Sequence, residues 1–402
     1  MSESDAPIKI VVVGGSYAGI TVIKQLLSSS KASQRPIQII LVDKRDARHH
    51  SLGAFRAVVD GEFGDRIWIS YKKLFSPDSL HKVIQGQLKQ VHLHHIVLAS
   101  GEEVGFDYLV LCTGSSNPSP AKFNDINSSR QAIEITNQVR KDLEKHQNIV
   151  VIGGGACGVE LAGEIKSAYG DQKTVSLIHA SSKLVDYPGY GAKFKAHAHK
   201  HLESLGAHVY LNERVAIEGL TFEDSIQVAP RTVRLSTGKV IESDMQFLCA
   251  GNKVDTSYIL TLKPETPVGG YNAETLIDPN TQTIKVKKTG QVDCPGLEHI
   301  FAVGDCSNIA KVATAAACSY TCPTVAKNII AVANFGKGTT HGRKPALSNV
   351  QLPPAIMCLA TGPTTGVVEL PLLGTIGSNF ISRAFKSKDF MIGRTMTEMN
   401  IA

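Results

Sequence analysis

Asn148–Ala168 reads NIVVIGGGACGVELAGEIKSA, and near the N-terminus Ile8–Leu27 reads IKIVVVGGSYAGITVIKQLL. Each stretch is a run of β-branched residues, a glycine-rich turn, and a segment that opens on small residues and continues with apolar ones at helical spacing. Each is followed by a further apolar strand, Ile37–Val42 and Thr174–Ile178. Two strand–turn–helix–strand units of this kind are the openings of two dinucleotide folds. The expected class is therefore α/β, with two Rossmann-like domains.

The second turn, Gly153-Gly154-Gly155-Ala156-Cys157-Gly158, satisfies GxGxxG in full. Gly153 serves the tight turn, Gly155 lets a diphosphate approach the backbone, and Gly158 lets helix and strand pack closely. Its second strand ends in His179, where an acidic residue would read a ribose 2′-hydroxyl; Ser181, Ser182 and Lys183 follow. Such a site repels a 2′-phosphate less than an acidic one and Lys183 could attract it, so NADPH is favoured over NADH, with binding of both left open. The first turn reads Gly14-Gly15-Ser16-Tyr17-Ala18-Gly19, with Ser16 at the middle glycine position. Asp43 ends its second strand, placed to accept ribose hydroxyls. Gly304-Asp305 closes a later strand. This ending resembles that of two-dinucleotide flavoproteins, and the resemblance implies a carboxylate bonded to the ribitol, with the positive end of the next helix facing the flavin and diphosphate. The first unit is accordingly expected to hold FAD and the second NAD(P)H.

Around these units, Phe106–Cys112 reads as a strand ending in Thr113-Gly114. Met245–Ala250 is another, and His299–Val303 a third. Val312–Val332 reads as an Ala-rich helix interrupted near Pro323. Residues 1–118 and 252–344 are expected to form the FAD domain, 119–251 an inserted NAD(P)H domain, and 345–402 a small α/β cap. Within the cap, Phe380, Ile381, Ala384 and Phe385 recur at helical spacing opposite Arg383, Lys386 and Lys388. That segment could lie on a membrane, cover the flavin, bind a partner, or pack on its own core.

Composition narrows the partners. The 402 residues are 43% hydrophobic and 19% charged, ordinary globular usage. The net charge of +6 is spread along the chain, which suits anionic dinucleotides and an acidic membrane surface. There is no dense basic stripe, so nucleic acid is not an expected partner. The eight cysteines form no CxxC and sit mostly in apolar runs; Cys318 and Cys322, four apart, read as a buried structural pair. His92, His94 and His95, and His197, His199 and His201, have metal-like spacing but no fixed carboxylate or thiolate partner, so no metal is expected. With no secretory segment apparent, the expected setting is cytoplasmic, with peripheral membrane contact through the C-terminus open.

Both glycine turns, Thr113-Gly114 and FAVGDCSN at 301–308 resemble the glutathione-reductase-fold flavoproteins. The chain is more particularly similar to the apoptosis-inducing-factor-like group. The similarity is carried by His49-His50, FRA at 55–57, ISY at 69–71, KFN at 122–124, GVELAGEIK at 158–166, LIH at 177–179 and KSKDF at 386–390. The resemblance implies NAD(P)H:quinone oxidoreductase chemistry on lipophilic quinones. It implies FAD contacts at Arg56 and Ile84 beside Gly14–Gly19, Thr113, Gly114, Gly304 and Asp305. It places Glu160 near the nicotinamide–flavin junction and Lys386 near the quinone end. Two departures are Ser16 and Ser2, the latter where an animal relative carries a lipidation signal. Glu160 also reads as an ordinary polar residue of an interior helix turn. Alternatives to a quinone reductase are a flavin enzyme of small aromatic metabolites and a non-enzymatic flavin-bearing signalling or nucleic-acid-binding protein.

Overall fold

The computed structural model describes residues 6–265, 271–310, 312, 314–335, 345–376 and 386–400. The strand Ile8–Val13 lies in the middle of a five-stranded parallel sheet, between Ile37–Asp43 on one side and Tyr108–Leu111 on the other. Lys82–Gln85 and Ile300–Ala302 form the two edges. Five of its six side chains are buried, as expected of a parallel strand covered on both faces. One face packs on helices Tyr17–Ser29 and Ala315–Phe335 through Ile20, Ile23, Leu26, Cys322, Val325 and Ile329. The other face meets Val91, Ile96 and Leu98 of a three-stranded antiparallel meander, together with Tyr258, Ile259 and Leu262.

The second sheet repeats the plan. Asn148–Ile152 lies between Thr174–Ile178 and Val240–Leu248, both parallel to it. His208–Tyr210 extends one edge in parallel, and Ile226–Arg234 closes the other as an antiparallel strand. In each sheet the chain leaves the central strand through a glycine turn, at the point where its neighbours lie to opposite sides. That is the crevice in which open α/β sheets bind ligands. A third, antiparallel sheet, Met357–Ala360, Gly366–Leu370 and Gly374–Ile376, packs against the second unit.

Two details differ from the sequence reading. The helix Ala315–Phe335 runs unbroken through Pro323. The carbonyl deprived of its N–H donor belongs to Ser319, which is exposed, so water can serve it. A last helix, Ile392–Glu398, was not anticipated; its buried face is only Ile392 and the polar Thr395, with Met399 just past its end, so no apolar helical spacing announces it. Of the expected apolar stripe, Phe380, Ile381, Ala384 and Phe385 lie outside the described residues, as does Arg383.

Candidate dinucleotide and electron-transfer site

The two glycine turns are built alike. Gly14 and Gly153 take φ values of +100° and +115°, which a side chain would resist. A Cβ on Gly19 or Gly158 would be driven into the carbonyl oxygen of Gly14 or Gly153. Neither following helix has an N-cap side chain bonded to it or an acidic residue in its first turn; in the second the Tyr187 hydroxyl takes the Ala156 N–H, and among the described residues the remaining N-terminal N–H groups are left to an anion. The second loop residue is braced in both units by the residue ending the second strand. The Gly15 N–H donates to Asp43 Oδ2 at 2.5 Å, and the Gly154 N–H donates to His179 Nδ1 at 3.0 Å. His179 is thus the positional counterpart of Asp43. Its imidazole pKa is lowered by burial, against an opposing effect of the Lys183 backbone. Lys183 is exposed beside it.

The first loop is wrapped by residues 45–71. The Tyr71 hydroxyl donates to the Gly15 carbonyl at 3.0 Å. Four buried nitrogens on this wrap, Arg45 Nε, Arg48 Nε, His49 Nε2 and Trp68 Nε1, have no hydrogen-bond partner among the described residues. Orphaned donors around an uncapped helix start fit an anionic, hydrogen-bonding cofactor such as FAD. At the far end of the loop, Asp305 accepts from Ser115 Oγ at 2.7 Å and stands 3.6 Å from Lys122 Nζ. Thr113 and Tyr258 share a hydroxyl contact of 2.7 Å, and Gly114 turns at φ +74°. Ile84 pairs beside Val42, one register step from Asp43. Ala18 packs under Gly304. Ser115 and Tyr258 were not singled out from the sequence, and Lys122 entered only within KFN; their folding against Asp305 and Thr113 reveals their place.

Glu160 and Lys386, 226 positions apart, form a buried ion pair. Glu160 Oε1 also accepts from the Ala360 N–H at 3.0 Å, and Lys386 Nζ donates to the Cys358 carbonyl at 3.1 Å. Burial works against the Lys386 ammonium, but Glu160, with Cys358 and Tyr17, raises its pKa on balance. The charge of Lys386 acts on Tyr17 in the first loop and on Cys157 in the second, whose thiol burial and Glu160 push up to about 11. Glu160 lies on the helix that follows the second turn, and Lys386 Nζ stands 5.5 Å from the Phe390 ring, whose carbonyl is tied through His50 to Tyr17 of the first turn, so the pair stands between the two turns. One helical turn beyond Glu160, Glu164 binds Arg56 through Nε at 2.5 Å and Nη2 at 2.8 Å. Arg56 Nη2 also donates to the Ser387 carbonyl at 3.1 Å. The guanidinium thus ties the FAD-side helix Ala54–Val59, the second unit and the C-terminal segment together. All eight cysteines are free thiols, and among the described residues no three metal-ligating groups converge.

His50 links the first loop to the C-terminus. Its Nε2–H donates to the Phe390 carbonyl at 2.9 Å, so Nδ1 accepts from the Tyr17 hydroxyl at 3.2 Å. Phe390 and Met391 both hold left-handed φ values, +53° and +59°, which this anchor helps to maintain. Burial lowers the His50 pKa from 6.5 to about 4. The unfolded chain then binds the extra proton below pH 6.5, so stability is full above that value. It falls as pH drops toward 4. Between pH 7 and 5 urea unfolding is expected to lose about 2 kcal/mol through this residue. His50→Gln should flatten that slope; an unchanged slope would refute the assignment.

Residues 8–319 match the pyridine nucleotide-disulphide oxidoreductase family. The chain is 31% identical over 404 residues to ferroptosis suppressor protein 1 of Xenopus laevis, covering 98% of this chain and 96% of that one. It is 27% identical over 405 residues to apoptosis-inducing factor homolog B of Dictyostelium discoideum, covering 98% and 97%. The solved sulfide:quinone oxidoreductase of Aquifex aeolicus superposes with a TM-score of 0.68 at 16% identity, covering 98% of this chain and 91% of that one.

Proposed function

The chain belongs to the pyridine nucleotide-disulphide oxidoreductase family, in the group with ferroptosis suppressor protein 1, and is an NAD(P)H-dependent FAD oxidoreductase; from that premise we propose that its electron acceptor is a quinone. The observation that carries this reading is the buried Glu160–Lys386 pair between the two glycine turns. Held by Gly14–Gly19, Asp43 and Asp305, FAD would supply the chemistry of accepting a hydride from a nicotinamide and passing two electrons to an acceptor.

The chain's own residues position and neutralise. Gly14–Gly19 offers uncapped N–H groups to one diphosphate, and Asp43 and Asp305 offer carboxylates to sugar hydroxyls at its two ends. Lys122 offsets the charge of Asp305. Gly153–Gly158 receives the second diphosphate. Lys386 Nζ carries a proton and a positive charge where a reduced acceptor becomes anionic. Such a preorganised charge in a dry site favours the charged transition state. Arg56, fixed by Glu164, holds the Ser387 carbonyl next to Lys386.

At the second site we infer a preference for NADPH. A His179 imidazole braces Gly154 without the negative charge that Asp43 carries in the first unit. His179→Asp should keep the Gly154 hydrogen bond and repel a 2′-phosphate. The kcat/KM ratio of NADPH to NADH is then expected to fall by roughly 10–100-fold, a shift of about 1.4–2.7 kcal/mol. An unaltered ratio would remove the residue from cofactor choice. The acceptor itself is tested on purified yellow protein by steady-state oxidation of NAD(P)H with short-chain quinones, dichlorophenolindophenol, ferricyanide or oxygen. Turnover with every acceptor except quinones would refute the quinone reading.

A further inference from the structure

The hairpin between strands Gly366–Leu370 and Gly374–Ile376 turns on Pro371, Leu372 and Leu373. Leu372 is fully exposed and Leu373 is 71% exposed. Leu372 also holds a left-handed φ of +67°, where Asn or Gly would be relaxed and leucine is strained. A large apolar side chain at this position therefore disfavours the isolated fold twice, through exposure and through backbone. Neither leucine contributes to a core.

The neighbouring surface is basic. Helix Ala192–Ser204 packs inward through Phe194, Ala198 and Leu202, and its start lies beside Glu369 at the base of the hairpin. Lys193, His197 and Lys200 are exposed on it. Asp186 is paired with Lys195, Glu203 faces His199 at 3.4 Å, an ion pair only when the imidazole is protonated, and among the described residues Lys193 and Lys200 make no ion pair. The register ties this corner to the candidate site. Cys358, whose carbonyl holds Lys386, pairs with Val368. Leu372 lies four residues further on, two past the end of that strand.

We propose that the Pro371–Leu373 tip is a bilayer wedge that, with Lys193 and Lys200, seats this protein on anionic phospholipid. Two weak signals, apolar insertion and attraction to charged headgroups, together give stable peripheral binding where either alone does not. The seat brings the lipid surface within reach of the Lys386 site. That consequence rests on the quinone reading; lipid binding itself does not.

The full chain is sedimented with phosphatidylcholine vesicles, with and without phosphatidylserine, in the absence of NAD(P)H and quinone. Wild type is expected to bind the phosphatidylserine vesicles. Leu372→Asn with Leu373→Ser should weaken that binding by about tenfold or more, with the melting temperature unchanged or raised. Lys193→Glu with Lys200→Glu should weaken it only where phosphatidylserine is present. Leu260→Ser, at an exposed leucine elsewhere, should leave it unchanged. The proposal is overturned if wild type does not bind or the tip variant binds like wild type. It is equally overturned if Leu260→Ser loses as much, or if the tip variant changes the oligomeric state rather than vesicle binding. Turnover of a water-soluble quinone should be unchanged in the tip variant, and turnover of a long-chain quinone in vesicles reduced; loss of the former also overturns it. If wild type reduces neither quinone, the acceptor reading fails while the sedimentation result still decides the wedge.

Discussion

Gly155→Val is expected to give a folded, yellow protein whose flavin NAD(P)H reduces at least about 100-fold more slowly than in wild type at one fixed nicotinamide concentration. The backbone at Gly155, φ −73° and ψ −175°, is ordinary extended geometry that valine adopts readily. A Cβ there would meet the Tyr187 hydroxyl at 2.8 Å and otherwise little. That hydroxyl accepts from the Ala156 N–H at 3.1 Å, the first of the N–H groups that a diphosphate would use. Valine therefore fills ligand space rather than core. Gly158 behaves differently, because a Cβ there strikes the Gly153 carbonyl, which cannot yield. Gly158→Val should part helix Ala156–Tyr169 from its strand and destabilise the second unit as a whole. Two glycines of one motif thus separate binding from folding. FAD should be retained in Gly155→Val, since Gly14–Gly19 is untouched. Stopped-flow bleaching at the wild-type rate in that variant would mean that the diphosphate does not lie on this turn.

What was legible in the sequence is what local pattern encodes. Each glycine turn carries its strand, its uncapped helix start and its close-packing glycine within a stretch of about 20 residues, the length a βα unit requires. Long-range pairings leave no such trace. Glu160 and Glu164 share one helix face, but nothing near them announces that their partners are Lys386 and Arg56, one of them 226 positions away. Arg56, expected against FAD by resemblance, directs Nε and Nη2 to Glu164 and Ser387. The His179 substitution was readable as a missing acid. That its ring takes over the bracing of Gly154 follows only from the geometry, since the same atom must both end a strand and reach the turn. The helix through Pro323 was misread because the exposure of Ser319, which makes the lost hydrogen bond tolerable, is a property of the fold.

Lys386→Ala is expected to leave flavin reduction by NAD(P)H within a few-fold of wild type. It should slow reoxidation by quinone by on the order of 10²-fold, the size of effect seen when one preorganised charge or donor is removed from a dry site. The difficulty is that the same change strands Glu160. Its carboxylate keeps the Ala360 N–H but loses its buried counter-charge. Breaking one side of a buried pair costs about 3–5 kcal/mol, whereas replacing both sides with neutral groups of similar shape is often nearly neutral. Lys386→Met with Glu160→Gln tests which effect the slow step reports. If Lys386 acts through its charge, the double variant should recover most of the melting temperature lost by Lys386→Met alone and still reoxidise slowly. If Lys386 only holds the C-terminal segment in place, stability and reoxidation should recover together. Slower flavin reduction in Lys386→Ala with reoxidation untouched would place the residue in the nicotinamide half of the cycle and remove it from the acceptor site.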